Sequence, residues 1–449
     1  MTPSARIAAA IDLLAAFTAQ PRRPADAIAH EFFRARRYIG GGDRREVSDT
    51  VWGVVREHSR LAWWIARGGA EPSPRLLVLA FLMLVQNRAP AALFVPDLYG
   101  PAALDRAELA LAESLRHQPL LHADMPEGVA LNLPDWASPG LRERFGDSLP
   151  AEAAAMQGSA PVDLRVNLLR GNRQTAQAAL AGEGITTETT LFSPWGLRLM
   201  NRTPIGTARA YTAGLVEVQD EGSQLIAALC DARPGMRVAD VCAGAAGKTL
   251  AMAMNMANKG RITACDVSAP RLAGAMKRLA RAGVDNAETH LFTTGDKWAK
   301  RRAGTFDRVL VDAPCTGTGT WRRNPDARQR TNANDLAELV QKQHNILVMS
   351  AVLVRPGGLL VYATCSLLPE EDERQVDRFL EKHPEFSVLP LAQAWDSAGI
   401  PGPPPGEGPH LLMTPARHGT DGFFAAVLRR GPPTAPPPAP PPAPGGPAA

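Results

Sequence analysis

The spacing of apolar residues changes twice along this chain. Through the first 130 residues or so it runs at threes and fours: Ile11, Leu13, Leu14 and Phe17; Ile28, Phe32 and Phe33; Val51, Val54 and Val55. That period predicts helices with one buried stripe. Pro72 and Pro74 set off a further apolar run over 76–85, half the length of a bilayer span and so expected as a core helix. Gly40-Gly41-Gly42 marks a turn, with Asp43 the expected N-cap of the helix that follows. Together these segments predict a helical bundle over 1–135.

From about residue 161 the pattern alternates. Val162 to Asn167 reads as a strand, 175–181 as a short helix, and 186–200 as two strands around Pro194-Trp195-Gly196. This is expected to be a small α+β unit, 150–215. Beyond it, apolar strands at 237–241, 261–265, 288–292, 308–312 and 358–363 alternate with helical stretches. Such alternation predicts a doubly wound parallel α/β sheet over 216–430, closed by a hairpin arm with a strand at 423–428. The chain is therefore expected to be multidomain. Residues 431–449 are almost wholly Pro, Ala and Gly and are expected to be a disordered, polyproline-like tail.

Composition narrows the function classes. A chain of 449 residues predicts two or three domains, and a net charge of +4 permits an anionic partner without requiring one. The five cysteines are odd in number, absent from the first 229 residues and free of C-x-x-C pairs. That argues against a disulfide framework or a zinc site and for a reducing, cytoplasmic compartment, with no metal. Asp12 interrupts the apolar N-terminus, so an amphipathic first helix is expected rather than a signal peptide.

Two of the expected strands run into cysteines: Val309-Leu310-Val311-Asp312-Ala313-Pro314-Cys315 and Leu359-Leu360-Val361-Tyr362-Ala363-Thr364-Cys365. Ligands of open α/β sheets bind outside the carboxyl ends of the strands, so neighbouring strands would aim both sulfurs into one crevice. The first strand of the domain leads into Cys242-Ala243-Gly244-Ala245-Ala246-Gly247-Lys248-Thr249. Gly-Lys-Thr suggests a phosphate loop, but position 242 is Cys where that motif needs Gly. A small-residue turn suits ligand approach and tight packing equally well. Asp266 closes the second strand, where an acid commonly binds a ribose diol or caps the next helix, and Asp296 follows the third. Between Asp296 and Arg330 lie nine Lys or Arg against four Asp, with Trp321 among them. Such a loop fits phosphate contacts and base stacking, or a solvated charged face. After Cys365, the run Glu370-Glu371-Asp372-Glu373 opens a helix, and its charge opposes the helix dipole in acting on the thiol.

With these residues the chain resembles the Sun/Fmu-type RNA cytosine-5 methyltransferases, which use S-adenosylmethionine. The resemblance rests on Val218-Gln219-Asp220-Glu221-Gly222-Ser223, the 240–249 loop, Asp312-Ala313-Pro314-Cys315, Arg322-Arg323-Asn324-Pro325-Asp326, Thr364-Cys365-Ser366 and Asp421-Gly422-Phe423-Phe424. Gly42-Asp43-Arg44-Arg45 with Val51-Trp52-Gly53-Val54-Val55-Arg56 resembles the NusB-like RNA-binding domain of one branch. The resemblance implies a Rossmann-like catalytic domain, an RRM-like small domain and an RNA substrate, foremost 16S ribosomal RNA, with the enzyme a monomer. It makes Cys365 the nucleophile, Cys315 the residue that assists release, Asp312 the partner of the cytosine edge, and Lys248 a neighbour of the reacting groups. It assigns the cofactor to Cys242, Ala243, Gly244, Ala245, Ala246, Gly247, Lys248, Asp266, Arg271, Asp296 and Asp312. The chemistry agrees: a thiolate added to carbon 6 turns the ring enamine-like, so carbon 5 can take a methyl group. Two departures stand out. Ala246 replaces the first Gly of the family's Gly-Gly-Lys, at a cost of roughly 1 kcal/mol if the position needs positive φ. Arg328-Gln329 replaces the usual Lys-Trp. The rivals are a non-catalytic RNA assembly factor, which the retained cysteines disfavour, and an NTP-driven RNA enzyme, which the failed phosphate loop disfavours.

Overall fold

The computed structural model describes residues 1–96, 98–201 and 203–432. Of the expected disordered tail, all but Gly431 and Pro432 lies outside the described residues.

The N-terminal part is a helical bundle: Pro3–Ala19, Ala25–Ala35, Gly41–Arg56, His58–Arg67, Pro74–Leu84 and Arg106–Leu115. Local chemistry sets several starts. The Thr2 side chain accepts from the Ala5 amide, Ser73 accepts from Leu76, and Asp105 and Glu108 form a reciprocal capping box. Leu13, Val51, Val54, Leu61, Ile65 and Val78 meet in one buried core, as their spacing predicts. Asp43 does not cap its helix. Gly40 takes the extended N-cap conformation, the helix starts at Gly41, and Asp43 falls in its first turn. There it pairs with the N-terminal ammonium at 3.1 Å and with Arg6.

The small α+β unit is a four-stranded antiparallel sheet of β1 (Asp163–Val166), β2 (Thr187–Thr189), β3 (Gly196–Leu199) and β4 (Val216–Val218), in the order β2-β3-β1-β4. The helix Arg173–Ala181 packs on it through Ala176 and Leu180. The two helices before it, Ser138–Phe145 and Leu149–Gln157, pack elsewhere. Leu141, Phe145, Leu149 and Met156 form one cluster with Trp321, Leu367 and Leu368. These helices therefore floor the loops that carry the site cysteines.

The large sheet holds β5 (Arg237–Val241), β6 (Arg261–Asp266), β7 (Ala287–Leu291), β8 (Phe306–Asp312), β9 (Val354–Thr364), β10 (Phe386–Val388), β11 (Leu411–Met413) and β12 (Phe423–Arg430). Its order is β10-β12-β9-β8-β5-β6-β7, with β11 beside β12. β5 to β9 are parallel, while β12 runs antiparallel to β9, β10 and β11. The chain winds from β5 out through β6 to β7, then returns to β8 on the other side of β5. The switch point thus falls between β5 and β8, where such sheets open a crevice. β8 and β9 are neighbours, with Asp312 opposite Ala363. Among the described residues no helix is long and apolar enough to cross a membrane, and no group of three or more His, Cys, Asp or Glu could hold a metal ion.

Candidate active site

Cys315 lies three residues past the end of β8, and Cys365 is the first residue past β9. Because those strands are adjacent and in register, the two sulfurs come within 3.4 Å of each other. The loops that carry them are stitched together. The Gly319 amide donates to the Cys365 carbonyl at 3.0 Å, and Thr318 Oγ1 accepts from the Leu367 amide at 2.7 Å. The hydrogen bond with Cys365, then burial, push the Cys315 thiol well above its ordinary range. Cys315 is therefore held as the thiol, placed to donate to the Cys365 sulfur. The other cysteines are free as well: Cys230 and Cys265 are core residues, and burial pushes Cys242 up to about 12.

Lys248 stands in the first turn of the helix Gly247–Asn255, its Nζ 2.6 Å from Asp312 Oδ2. Burial disfavours the ammonium, but Asp312, Asp240 and the Cys365 sulfur outweigh it and the pKa rises. Lys248 thus stays charged beneath Asp312, whose side chain keeps 33% of its surface exposed. The Phe423 ring centroid is 6.0 Å from Nζ.

The turn between β5 and that helix carries three left-handed residues: Cys242 at φ 66°, Gly244 at 56° and Ala246 at 64°. Ala246 is the N-cap and fully buried, so the alanine in place of glycine does occupy a strained position. Beneath the turn Asp240 is buried, holds the Thr249 hydroxyl at 2.5 Å, and is pushed by burial to about 7. Asp266 does two jobs: its oxygens accept from the Gly244 amide at 2.9 Å and the Ser268 amide at 2.8 Å. It thereby ties the turn to the end of β6 and holds the Ser268 amide just ahead of the helix that starts at Ala269.

A cavity of about 360 Å³ opens beside this turn, within the usual range for small-molecule sites. Of the residues expected to hold cofactor, Cys242, Asp266, Arg271 and Asp296 line it. Ala243 to Gly247 build the adjoining turn without lining the cavity, and Lys248 and Asp312, paired with each other, do not line it either. The Asp296 carboxylate already accepts from the Trp298 amide at 2.8 Å and meets His290 Nε2 at 2.6 Å, and the His290 bond lowers its pKa. Sequence reasoning missed the opposite wall: Lys342, Ile346 and Met349, spaced along one face of the helix Ala333–Ala351, together with Phe292. Their helical spacing was the available signal. Val267 borders the cavity while 72% exposed. An apolar cleft of this kind, closed by a carboxylate with lone pairs to spare, fits a nucleoside with a free diol.

Two expectations fail here. The Trp-bearing basic loop is not an exposed RNA platform. Trp321 is fully buried, edge-on to Trp136 at 5.9 Å, with Arg328 5.1 Å above its ring. Arg322 binds Asp421 at 2.6 Å, and Arg323 binds Asp220 at 2.9 Å. The loop's charge is thus spent in joining the 218–223, 322–326 and 421–424 motifs, and burial lifts Asp220 to about 6. The acidic run after Cys365 does not open the helix as a whole: the helix starts at Glu373, and Glu371 and Asp372 precede it, fully buried.

A parallel sheet whose switch point lies beside a small-residue turn and a cavity, with a cysteine pair at the neighbouring strand ends, is a Rossmann-like arrangement, and comparison with known proteins makes it that of an S-adenosylmethionine-dependent methyltransferase. The chain belongs to the RsmB/F family of 16S rRNA methyltransferases, whose model matches residues 227–429. The RsmF/B-like ferredoxin-like domain matches residues 133–206. The chain is 32% identical over 407 residues to ribosomal RNA small subunit methyltransferase B of Sodalis glossinidius, covering 86% of this chain and 89% of that protein. It is 31% identical to a probable ribosomal RNA small subunit methyltransferase B of Synechocystis, with 86% and 91% covered. Among solved structures, a methyltransferase homologue from Pyrococcus horikoshii superposes with a TM-score of 0.59 at 27% identity, covering 69% of this chain and all of that one.

Proposed function

We propose that the protein transfers a methyl group from S-adenosylmethionine to carbon 5 of a cytosine in small-subunit ribosomal RNA. The observation that carries this reading is the pair of sulfurs 3.4 Å apart at adjacent strand ends, with the Lys248–Asp312 pair near enough for the Cys365 sulfur to act on the Lys248 ammonium. Pro314 lines the cofactor cavity and immediately precedes Cys315, so the two sites share a wall. The names of the relatives supply the RNA class.

S-adenosylmethionine supplies an electrophilic methyl group. Cys365 as thiolate adds to carbon 6 of the base, and carbon 5 becomes the nucleophile that accepts the methyl. Asp312, anchored by Lys248, accepts from the exocyclic amino group and orients the base, and the Lys248 ammonium behind it offsets the negative charge that develops on addition. S-adenosylhomocysteine is left as the co-product, and transfer of the carbon-5 proton to solvent water then expels the Cys365 thiolate. Cys315, held as a thiol against the same sulfur, assists that departure. Cys242, Asp266, Arg271 and Asp296 hold the cofactor, with Ala243 to Gly247 shaping the turn beside it. The target base enters unpaired or flipped.

RNA reaches the site past a second cavity, of about 400 Å³, that Cys315 shares with Arg330 and Lys342, with Glu338, and with Arg22 of the helical bundle, which pairs there with Asp335 at 2.6 Å. We read the bundle, 1–135, as a NusB-like RNA-binding domain, the small sheet unit, 150–215, as a second RNA contact, and 216–430 as the catalytic domain. The test is bisulfite sequencing of small-subunit ribosomal RNA from cells with and without the protein. One cytosine should lose its protection from conversion. An unchanged pattern in every abundant RNA refutes the proposal.

A further inference from the structure

Two consecutive buried acids lie directly behind the cysteine pair and have no part in the chemistry above. Glu371 and Asp372 are both fully buried. The Glu371 carboxylate accepts from the Thr316 amide at 2.9 Å, from the Thr316 hydroxyl and from Gln343 Nε2 at 2.8 Å. Gln343 Nε2 also donates to the Pro314 carbonyl at 2.9 Å. One carboxylate therefore fixes both residues that flank Cys315. Asp372 does the same on the other strand. Its Oδ1 accepts from Thr364 Oγ1 at 2.5 Å, and Thr364 Oγ1 accepts from the Ser366 amide at 3.1 Å, so both residues flanking Cys365 are held.

The acids are themselves anchored from two sides. Tyr362 on β9 donates its hydroxyl to the Glu371 carbonyl at 2.6 Å. Arg144, from the helix Ser138–Phe145, reaches Asp372 at 2.9 Å and the Leu367 carbonyl at 2.6 Å. Burying two carboxyls side by side is costly, and burial pushes the pKa of both upward. A tight turn could be stabilised by neutral groups. What this arrangement adds is a separate fixed grip on each sulfur-bearing loop.

We infer that Glu371 and Asp372 are a pair of positioning residues, Asp372 aligning Cys365 for attack and Glu371 aligning Cys315 for release. The inference rests on the proposed roles of the two cysteines. An offset of an ångström in a reacting group can cost a hundredfold in rate, so each acid should act on its own step.

The experiment follows the denaturant-stable protein–RNA adduct formed by the full chain on small-subunit ribosomal RNA with S-adenosylmethionine. In a Cys315→Ala background, Asp372→Asn should slow adduct formation at least tenfold. In the otherwise unaltered enzyme, Glu371→Gln should form adduct at the parent rate but accumulate at least fivefold more of it. Affinity for RNA and for cofactor should stay within twofold in both. Should the buried variants fail to fold, Thr364→Val cuts the Asp372 grip on Cys365 and Gln343→Leu the Pro314 half of the Glu371 grip on Cys315, and each must reproduce its effect in the same direction. Parent kinetics in the folded variants, or equal slowing of both steps by each, overturns the inference. If Cys315→Ala alone accumulates no adduct, the reading of the cysteines has failed, and the inference falls with it.

Discussion

Substitution of Trp321 tells a core tryptophan from one that stacks on RNA. An exposed tryptophan in a basic loop would stack on RNA, and its loss would weaken binding while leaving stability alone. The observed ring is fully buried among Leu133, Phe145, Leu367 and Leu368. Truncating such a ring costs about 3–5 kcal/mol. The edge-on contact with Trp136 at 5.9 Å contributes about 0.5–1.5 kcal/mol of that order beyond the area it buries. Trp321→Ala is therefore expected to remove a large part of a typical domain stability of about 5–15 kcal/mol. Trp321→Phe keeps a ring against Trp136 and sheds an indole N–H that has no partner among the described residues, so about 1–2 kcal/mol is expected. Urea unfolding should show the two midpoints falling in that order, while folded Trp321→Phe binds ribosomal RNA within twofold of the parent. An unchanged midpoint for Trp321→Ala together with a tenfold loss of RNA affinity would refute the burial argument.

Ala246→Gly relieves a left-handed alanine at φ 64°, a strain of about 1–2 kcal/mol, against about 0.8 kcal/mol for the buried methyl lost. A gain of up to about 1 kcal/mol is expected by thermal unfolding, with S-adenosylmethionine binding equal or tighter by calorimetry; a clear loss of either contradicts the strain reading. Asp240, at about 7 when folded against about 3.9 unfolded, makes the folded state bind more protons between those values, so stability should fall as pH rises from about 4 to about 7. Asp240→Asn should remove its own share of that slope and leave the contributions of the other raised carboxyls, Asp220, Glu371 and Asp372, read as unfolding temperature against pH. An unaltered slope would place the titration elsewhere.

Sequence reading reached the strands well because each is a short apolar run with clear ends: β5 spans the expected residues, and β6 to β9 contain or nearly match theirs. It reached the cysteine pair because strand ends converge in a parallel sheet. It could not reach what burial decides. Trp321, Arg322 and Arg328 look like a solvent face until two helices from before the small sheet, carrying Leu141, Phe145 and Met156, are seen to cover them. The acids after Cys365 mislead for the same reason, since partners such as Arg144 and Gln343 come from distant segments. Asp43 failed for a local reason, because flexible glycines let the helix start before the expected cap. Asp266, which spacing left open between helix cap and ligand carboxylate, lines the cavity and binds the Gly244 and Ser268 amides instead of capping the helix that starts at Ala269.

The most direct test of the account is to trap the enzyme on its RNA. Wild type, Cys315→Ala and Cys365→Ala are incubated with small-subunit ribosomal RNA and S-adenosylmethionine, then separated under denaturing conditions. Cys315→Ala should carry covalently bound RNA, and Cys365→Ala should carry none. Adduct on Cys365→Ala but not on Cys315→Ala would reverse the assignment, and adduct on neither would contradict covalent catalysis by this pair.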